Sequence, residues 1–266
     1  VNVLAPATGL TLDPPSLNLE YGKTAKLTDT VIPSDSTDRV TWSSDKPEVA
    51  TVENGNVTAM GIGSATITAT AGNQKATCEV NVTKASQNGT LTITGDAKVG
   101  GTLTASVSGL PEGVTASYAW YRGTTKIADS ANYTLTVDDF GKELTVTATA
   151  KSDLYDINID DAKTNTIGAG KHEKPSFTED NLTVTYNKIT VTNPDAGCEY
   201  ALKVNDSTDE LDYAKTAWDV NDDGTKYTVY ARKKTTKGMD ASEAVSVPVT
   251  VPKQTFNVNA TAEIIE

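Results

Sequence analysis

Short runs in which every second residue is apolar recur along this chain, as in Ala65-Thr66-Ile67-Thr68-Ala69-Thr70, and no 3.6-residue period replaces them. A period of two puts alternate side chains on opposite faces of a strand, so each strand buries one face and needs a second sheet to bury it against. Gly, Asn, Asp and Pro separate the runs, as tight turns require. The pattern predicts an all-β chain of packed sheets, with no helix to follow a glycine-rich phosphate loop.

Length and composition suit several small cores better than one large one. The 266 residues are 37% hydrophobic and only 6% aromatic, which leaves each core thin. The periodic runs give way to looser composition at residues 84–89 and 168–175. Those segments read as linkers. Three modules follow, at 1–84, 89–168 and 175–252. Residues 253–266, in which Phe256, Val258, Ala260, Ala262 and Ile264 alternate, form a strand-like tail or the start of a further unit. No apolar run approaches the ~18 residues of a membrane span, so this chain has no membrane insertion of its own. No secretion signal stands at Val1, so an exported protein would already have lost it.

The formal net charge of −12 argues against nucleic acid as a partner, because binding a polyanion needs clustered Lys and Arg. Cys78 and Cys198 fall in different modules, so a disulfide between them would have to cross a domain junction. Cys78 shares a strand face with Val80 and Val82 and reads as a buried free thiol that behaves as a small hydrophobe.

Within the first module, Asn54-Gly55 between two alternating runs predicts a two-residue hairpin, since a type I′ turn needs positive φ at both central residues. The spacing of Trp42, Ser44, Pro47, Val49-Ala50, Val52, Gly55, Val57, Ala59, Gly63, Ala65 and Ile67 resembles the bacterial immunoglobulin-like domain of group 2. Leu10-Thr11-Leu12, Tyr21-Gly22 and the closing Thr77-Cys78-Glu79-Val80-Asn81-Val82-Thr83 match that family too. The resemblance implies a sandwich with Trp42 between its sheets. The second module places Trp120 on a middle strand and Asp138-Asp139-Phe140-Gly141 ahead of a long alternating strand, and is similar to immunoglobulin-like modules of bacterial surface proteins. Cys198-Glu199-Tyr200-Ala201-Leu202, Trp218 and Tyr227-Thr228-Val229-Tyr230-Ala231-Arg232 resemble the later strands of a fibronectin type III-like module, with residues 241–247 as its last strand. Pro248 and Pro252 suit an edge position there. The fold class is therefore three tandem immunoglobulin-like or fibronectin III-like β-sandwiches.

Catalytic chemistry finds little to work with. The one histidine, His172, sits in a Gly- and Lys-rich linker and reads as exposed filler without the orienting partner a catalytic base needs. One His and two remote Cys make no zinc site. Calcium is the one conceivable cation: Asp219, Asn221 and Asp223, followed by Gly224, fit the first half of a calcium loop, but its twelfth position is Tyr230 rather than Glu. The same residues make an ordinary Asx and Gly turn between strands, which is the reading the missing ligand favours. An internal Lys-to-Asn isopeptide bond would suit such modules, but no lysine is identifiable as buried.

The chain reads as a non-enzymatic, monomeric structural or adhesive segment of a bacterial cell-surface protein, of Gram-positive type, acting as a stalk. Its partners would be host glycans or extracellular proteins, bound at end loops such as residues 33–39. The alternatives are an accessory module of a large secreted carbohydrate-active enzyme, or a surface-attachment module of a phage virion.

Overall fold

Alternation and turn chemistry produce strands along nearly the whole chain. The computed structural model describes residues 5–221 and 224–254, which contain no α-helix and two single-turn 3-10 segments, Val137–Asp139 and Glu179–Asn181. By their contacts the residues fall into two units. One comprises Val1–Thr94, Thr104–Asn132 and Thr145–Lys163, the other Gly95–Leu103, Tyr133–Leu144 and Thr164–Glu266. Of the strand-like tail read at residues 253–266, Lys253 and Gln254 are not in a strand, and residues 255–266 lie outside the described residues.

The first sandwich has nine strands: β1 (Gly9–Asp13), β2 (Ser16–Glu20), β3 (Thr24–Lys26), β4 (Thr28–Ile32), β5 (Thr41–Ser44), β6 (Ala50–Glu53), β7 (Asn56–Ala59), β8 (Gly63–Ala71) and β9 (Gln74–Thr83). They form sheets ordered β2-β9-β8-β5, β3-β7-β6 and β1-β4. Ala65, Ile67, Ala69 and Ala71 of β8 face inward with Cys78, Val80 and Val82 of β9, as the alternation requires. The Asn54-Gly55 hairpin forms as expected, with Glu53 paired to Asn56 and φ of 47° and 77° at the turn. Gly55 has a second duty: a Cβ there would come within 2.6 Å of the Leu27 carbonyl oxygen. Trp42 is half-buried and packs against this core.

The second sandwich is built from β10 (Ala85–Gly95), β11 (Thr102–Ser108), β12 (Ala116–Arg122), β13 (Thr125–Ala128), β14 (Asn132–Thr134), β15 (Leu144–Ala150), β16 (Tyr155–Ile159) and β17 (Ala162–Lys163). Its sheets are ordered β14-β11-β10-β16 and β13-β12-β15-β17. Trp120 on β12 is fully buried, and its indole N–H donates to the Ser130 carbonyl at 2.9 Å. In the otherwise exposed acidic stretch before β15, Asp139 is fully buried and its Oδ2 accepts from the Thr136 N–H at 2.8 Å, the Thr136 hydroxyl at 2.9 Å and the Tyr133 hydroxyl at 2.9 Å. A buried carboxylate needs several such donors to offset its lost hydration.

The third sandwich comprises β18 (Gly170–Lys171), β19 (Leu182–Thr185), β20 (Lys188–Val191), β21 (Cys198–Val204), β22 (Ala217–Asp219), β23 (Tyr227–Lys233), β24 (Met239–Asp240) and β25 (Val245–Val249). Two three-stranded sheets, β19-β20-β22 and β21-β23-β25, enclose a core of Phe177, Ile189, Val191, Cys198, Tyr200, Val220, Tyr227, Val229, Ala231, Val247 and Val249. The last strand starts at Val245, later than the reading at 241–247, because Ser242 is held off the ladder by its own bonds to Lys233. β25 is an edge strand, and Pro248 within it supplies no N–H to any further strand.

Candidate functional site

What the described residues build with most care are the joins between sandwiches. Within the first unit, β9 ends at Thr83 and β10 begins at Ala85, so Lys84 alone separates two strands of 10 and 11 residues. The Lys84 ammonium donates to the Ser152 carbonyl at 2.8 Å, and the Ala85 N–H donates to the Leu154 carbonyl at 3.1 Å. Tyr21 and Tyr155 meet edge to face, with ring centroids 5.5 Å apart, a favoured aromatic geometry. The polar segment read as a linker is strand instead: Ala85 through Gly89 pair in parallel with Tyr155 through Ile159. A Cβ at Gly89 would approach Val107 Cγ1 at 2.9 Å and Ile159 Cγ1 at 3.0 Å, so those side chains would have to shift to admit one.

Within the second unit, residues 168–172 are likewise hydrogen-bonded rather than loose. Gly168 donates to the Ala97 carbonyl at 2.8 Å and accepts from the Val99 N–H at 3.0 Å. Gly170 donates to the Gly238 carbonyl at 3.0 Å, and His172 donates to the Asp240 carbonyl at 3.2 Å, which makes β18 and β24 a short parallel pair. His172 is therefore not exposed filler. It is half-buried, and its Nε2 lies 2.9 Å from the Thr236 hydroxyl. A shallow groove beside this segment is lined by Lys98, Lys171, His172 and Lys233 together with Asp96, Glu173 and Asp240. Its charges balance, so it presents no field of one sign to a ligand.

The calcium candidate falls at the corner between β22 and β23. Asp219 ends β22, paired opposite Lys188, and is exposed; Asn221 is exposed; Asp223 lies outside the described residues. The Asn221 N–H donates to the Tyr227 hydroxyl at 3.2 Å, while Val220, between Asp219 and Asn221 in sequence, is buried. A tyrosine at the start of a strand reaching back to the preceding corner is a recurrent lock of immunoglobulin-like sandwiches. That signal was present in the sequence as Tyr227, six residues after Asn221. Among the described residues, no three His, Cys, Asp or Glu side chains gather closely enough to hold a metal. In loop 33–39, Asp38 is tied down: its Oδ2 accepts from the Ala7 N–H at 2.8 Å, and its N–H donates to Ser36 Oγ at 3.2 Å.

One titratable cluster stands out in the third sandwich. Lys233 and Cys198 are cross-strand partners, and the Lys233 ammonium donates to Asp195 Oδ2 at 2.5 Å. The Gly197 N–H donates to Asp195 Oδ1 at 2.7 Å, and the Cys198 thiol points at Oδ2 from 3.5 Å. Asp195 is held down to about 2, first by Lys233, then by the Gly197 N–H and the Cys198 thiol. Lys233 is raised, chiefly by the bond to Asp195. Both groups are thus stabilised in their charged forms, whereas forming an isopeptide bond needs a neutral amine and a protonated acid. The pair is a salt bridge. Burial pushes the thiols of Cys78 and Cys198 up as well, and both cysteines are unpaired and buried.

A carboxylate whose folded value is depressed adds stability that is present above its ordinary value and lost as pH falls through the folded value. For Asp195 that window runs from 3.8 down to about 2. In Lys233→Met, the Asp195 carbon resonance followed by NMR should titrate closer to 3.8 than in the parent. An unchanged midpoint would show that Lys233 is not what holds the acid down.

Residues 6–82 match the family described as bacterial Ig-like domain (group 2). A stretch of 86 residues is 43% identical to the minor capsid protein of Enterobacteria phage T3, covering 32% of this chain and 20% of that protein. The chain thus spans about a fifth of the length of the curated relative it matches. Among solved structures, a two-domain fibronectin type III segment of chicken tenascin aligns at 14% identity, over 60% of this chain and 97% of that one, with a TM-score of 0.32. Domains 5–6 of the S-layer protein SbsC align at 18% identity over 95% and 99%, with a TM-score of 0.25. A three-Ig segment of titin, I67–I69, aligns at 14% over 94% and 100%, with a TM-score of 0.23. Residues 6–82 thus carry a bacterial Ig-like domain of group 2.

Proposed function

We propose that this chain is a non-catalytic stalk segment of a bacterial cell-surface protein, of Gram-positive type, made of three modules that divide near residues 84–89 and 168–175 and act as a monomer. The observation that carries this reading is the bonding at both joins. One residue, Lys84, separates strands of adjoining modules, and residues 168–172 are tied to both segments they lie between within their unit. A flexible tether would leave such backbone groups to water, whereas a spacer that must hold its reach has reason to pair them.

The test is 15N relaxation of the backbone amides at residues 84–89 and 168–172. Order parameters near the ~0.85 of rigid backbone support a stalk, and values below about 0.6 overturn it. Binding of host glycan or extracellular protein is the adhesive extension of this reading. A screen of the folded chain against glycans, mucins and matrix proteins, with calcium and then with chelator, decides it. A hit that disappears with chelator would return attention to Asp219 and Asn221.

A second reading has its own support. The stretch that is 43% identical to a phage minor capsid protein favours display on a virion surface. Sequence flanking this chain in its parent gene separates the two, through a capsid or tail domain on one side of the choice and a wall anchor on the other.

A further inference from the structure

We propose that the chain yields to tension in a fixed order, the third sandwich first, because the parallel ladder that ties its entry segment is two register pairs long against five in each of the other two. This rests on the stalk reading, since only a chain under tension has use for such an order.

In the first sandwich, β2 and β9 run parallel and in register from Ser16 opposite Glu79 to Glu20 opposite Thr83. The Glu79 N–H donates to the Pro15 carbonyl at 3.3 Å and the Tyr21 N–H donates to the Thr83 carbonyl at 2.9 Å, which closes the ladder at both ends. Tension enters ahead of β2 and leaves beyond β9. With the strands parallel, those two points lie at opposite ends of the ladder, so pulling slides one strand along the other. Every bond of the ladder is then loaded together. An antiparallel hairpin pulled from its open end would surrender its bonds one at a time. In the second sandwich β10 and β16 repeat the arrangement, from Ala85 opposite Tyr155 to Gly89 opposite Ile159.

The third sandwich departs from this plan. Its entry segment is held by β18 against β24, with Gly170 opposite Met239 and Lys171 opposite Asp240 and nothing longer. Its first long strand, β19, lies in one sheet and its last, β25, in the other. Among the described residues, β25 is bonded only to β23. Load between entry and exit therefore passes through two register pairs, the exposed side-chain contacts of His172 with Thr236 and Lys174 with Glu243, and an apolar core, and dispersion contacts between sheets slide more readily than hydrogen bonds shear. The rate of forced unfolding is set by the barrier and not by equilibrium stability, so this order holds even where the three modules are equally stable in solution.

Yielding has a chemical consequence, because Cys198 is buried in the third core while Cys78 is buried in the first. The thiol uncovered at low tension is Cys198.

The experiment is constant-velocity pulling of the whole chain between folded handles at its two ends, on the parent and two insertion variants. Ten glycines after Asp209, in the exposed segment between β21 and β22, lengthen the contour released by the third sandwich by about 35 Å. Ten glycines after Asn73, in the exposed turn between β8 and β9, do the same for the first. The lengthened step is expected to be the lowest-force event in the Asp209 variant and one of the two higher events in the Asn73 variant. The proposal is overturned if the Asp209 insertion lengthens a higher-force step, or if all three events occur at one force. Mobile joins in the relaxation measurement would instead remove the stalk reading and leave the order of yielding standing as a property of the fold.

Discussion

Trp120→Ala is expected to cost about 3–5 kcal/mol, because a fully enclosed indole is removed from a thin core that cannot close over the space. Trp120 has no measurable exposure. A small sandwich has on the order of 5–15 kcal/mol in all, so the variant should leave the middle module marginal. The indole N–H bond to the Ser130 carbonyl is lost too, but Ser130 is exposed and its carbonyl regains water. Trp120→Phe is the milder comparison, keeping most of the apolar contact while losing the bond and part of the ring's volume, at about 1–3 kcal/mol. Hydrogen exchange read by peptide is the suitable measurement, since it localises the loss. Peptides of β12 and β15 should lose protection in Trp120→Ala while those of β8 and β9 keep theirs. Equal protection in parent and variant would mean that the ring does not support the middle module.

The second large effect is expected at Gly170. A Cβ there would overlap the Val99 carbonyl oxygen and reach Met239 Sδ at 3.0 Å, and a backbone oxygen cannot rotate away as a side chain can. Gly170→Ala must therefore push β18 off β24, at about 1–3 kcal/mol of strain or lost bonding. The amides of Gly170 and His172, which donate to Gly238 and Asp240, should exchange faster by about one to two orders of magnitude, following from that cost. Gly168→Ala is the control, because its Cβ would meet only Lys98 Cγ at 3.5 Å and the Ala97 carbonyl oxygen at 3.6 Å, which is ordinary contact. If both variants leave exchange at His172 unchanged, β18 is not what fixes this segment.

The strands and their inward faces were legible because alternation is a local property, and Asn54-Gly55 announced its turn through the φ values it alone accepts readily. Trp120 could be assigned to a core by the same means. What stayed hidden were pairings between segments distant in sequence. Residues 84–89 are polar and end in Gly, so they read as a linker, yet their partners stand some 70 residues away, at Tyr155 through Ile159. His172 gains its hydroxyl partner from Thr236, 64 residues later, by the same kind of long-range contact. The corner after β22 misled for another reason. Asx residues and Gly serve calcium loops and turns alike, and the feature that assigns this corner to the fold is a hydroxyl six residues onward, on Tyr227.

Pro248 deserves a last consequence. Displayed as the stalk proposed above, in many copies on one surface, the chain would meet its neighbours at concentrations far above those in dilute solution. An unpaired strand at the rim of a sheet offers its backbone as a template to the same strand of the next copy. β25 is such a rim, and the one residue type that cannot complete a ladder sits inside it, opposite Thr228. In that setting the ring that gives up a donor would work against polymerisation, keeping crowded molecules separate without any charge being spent on the purpose.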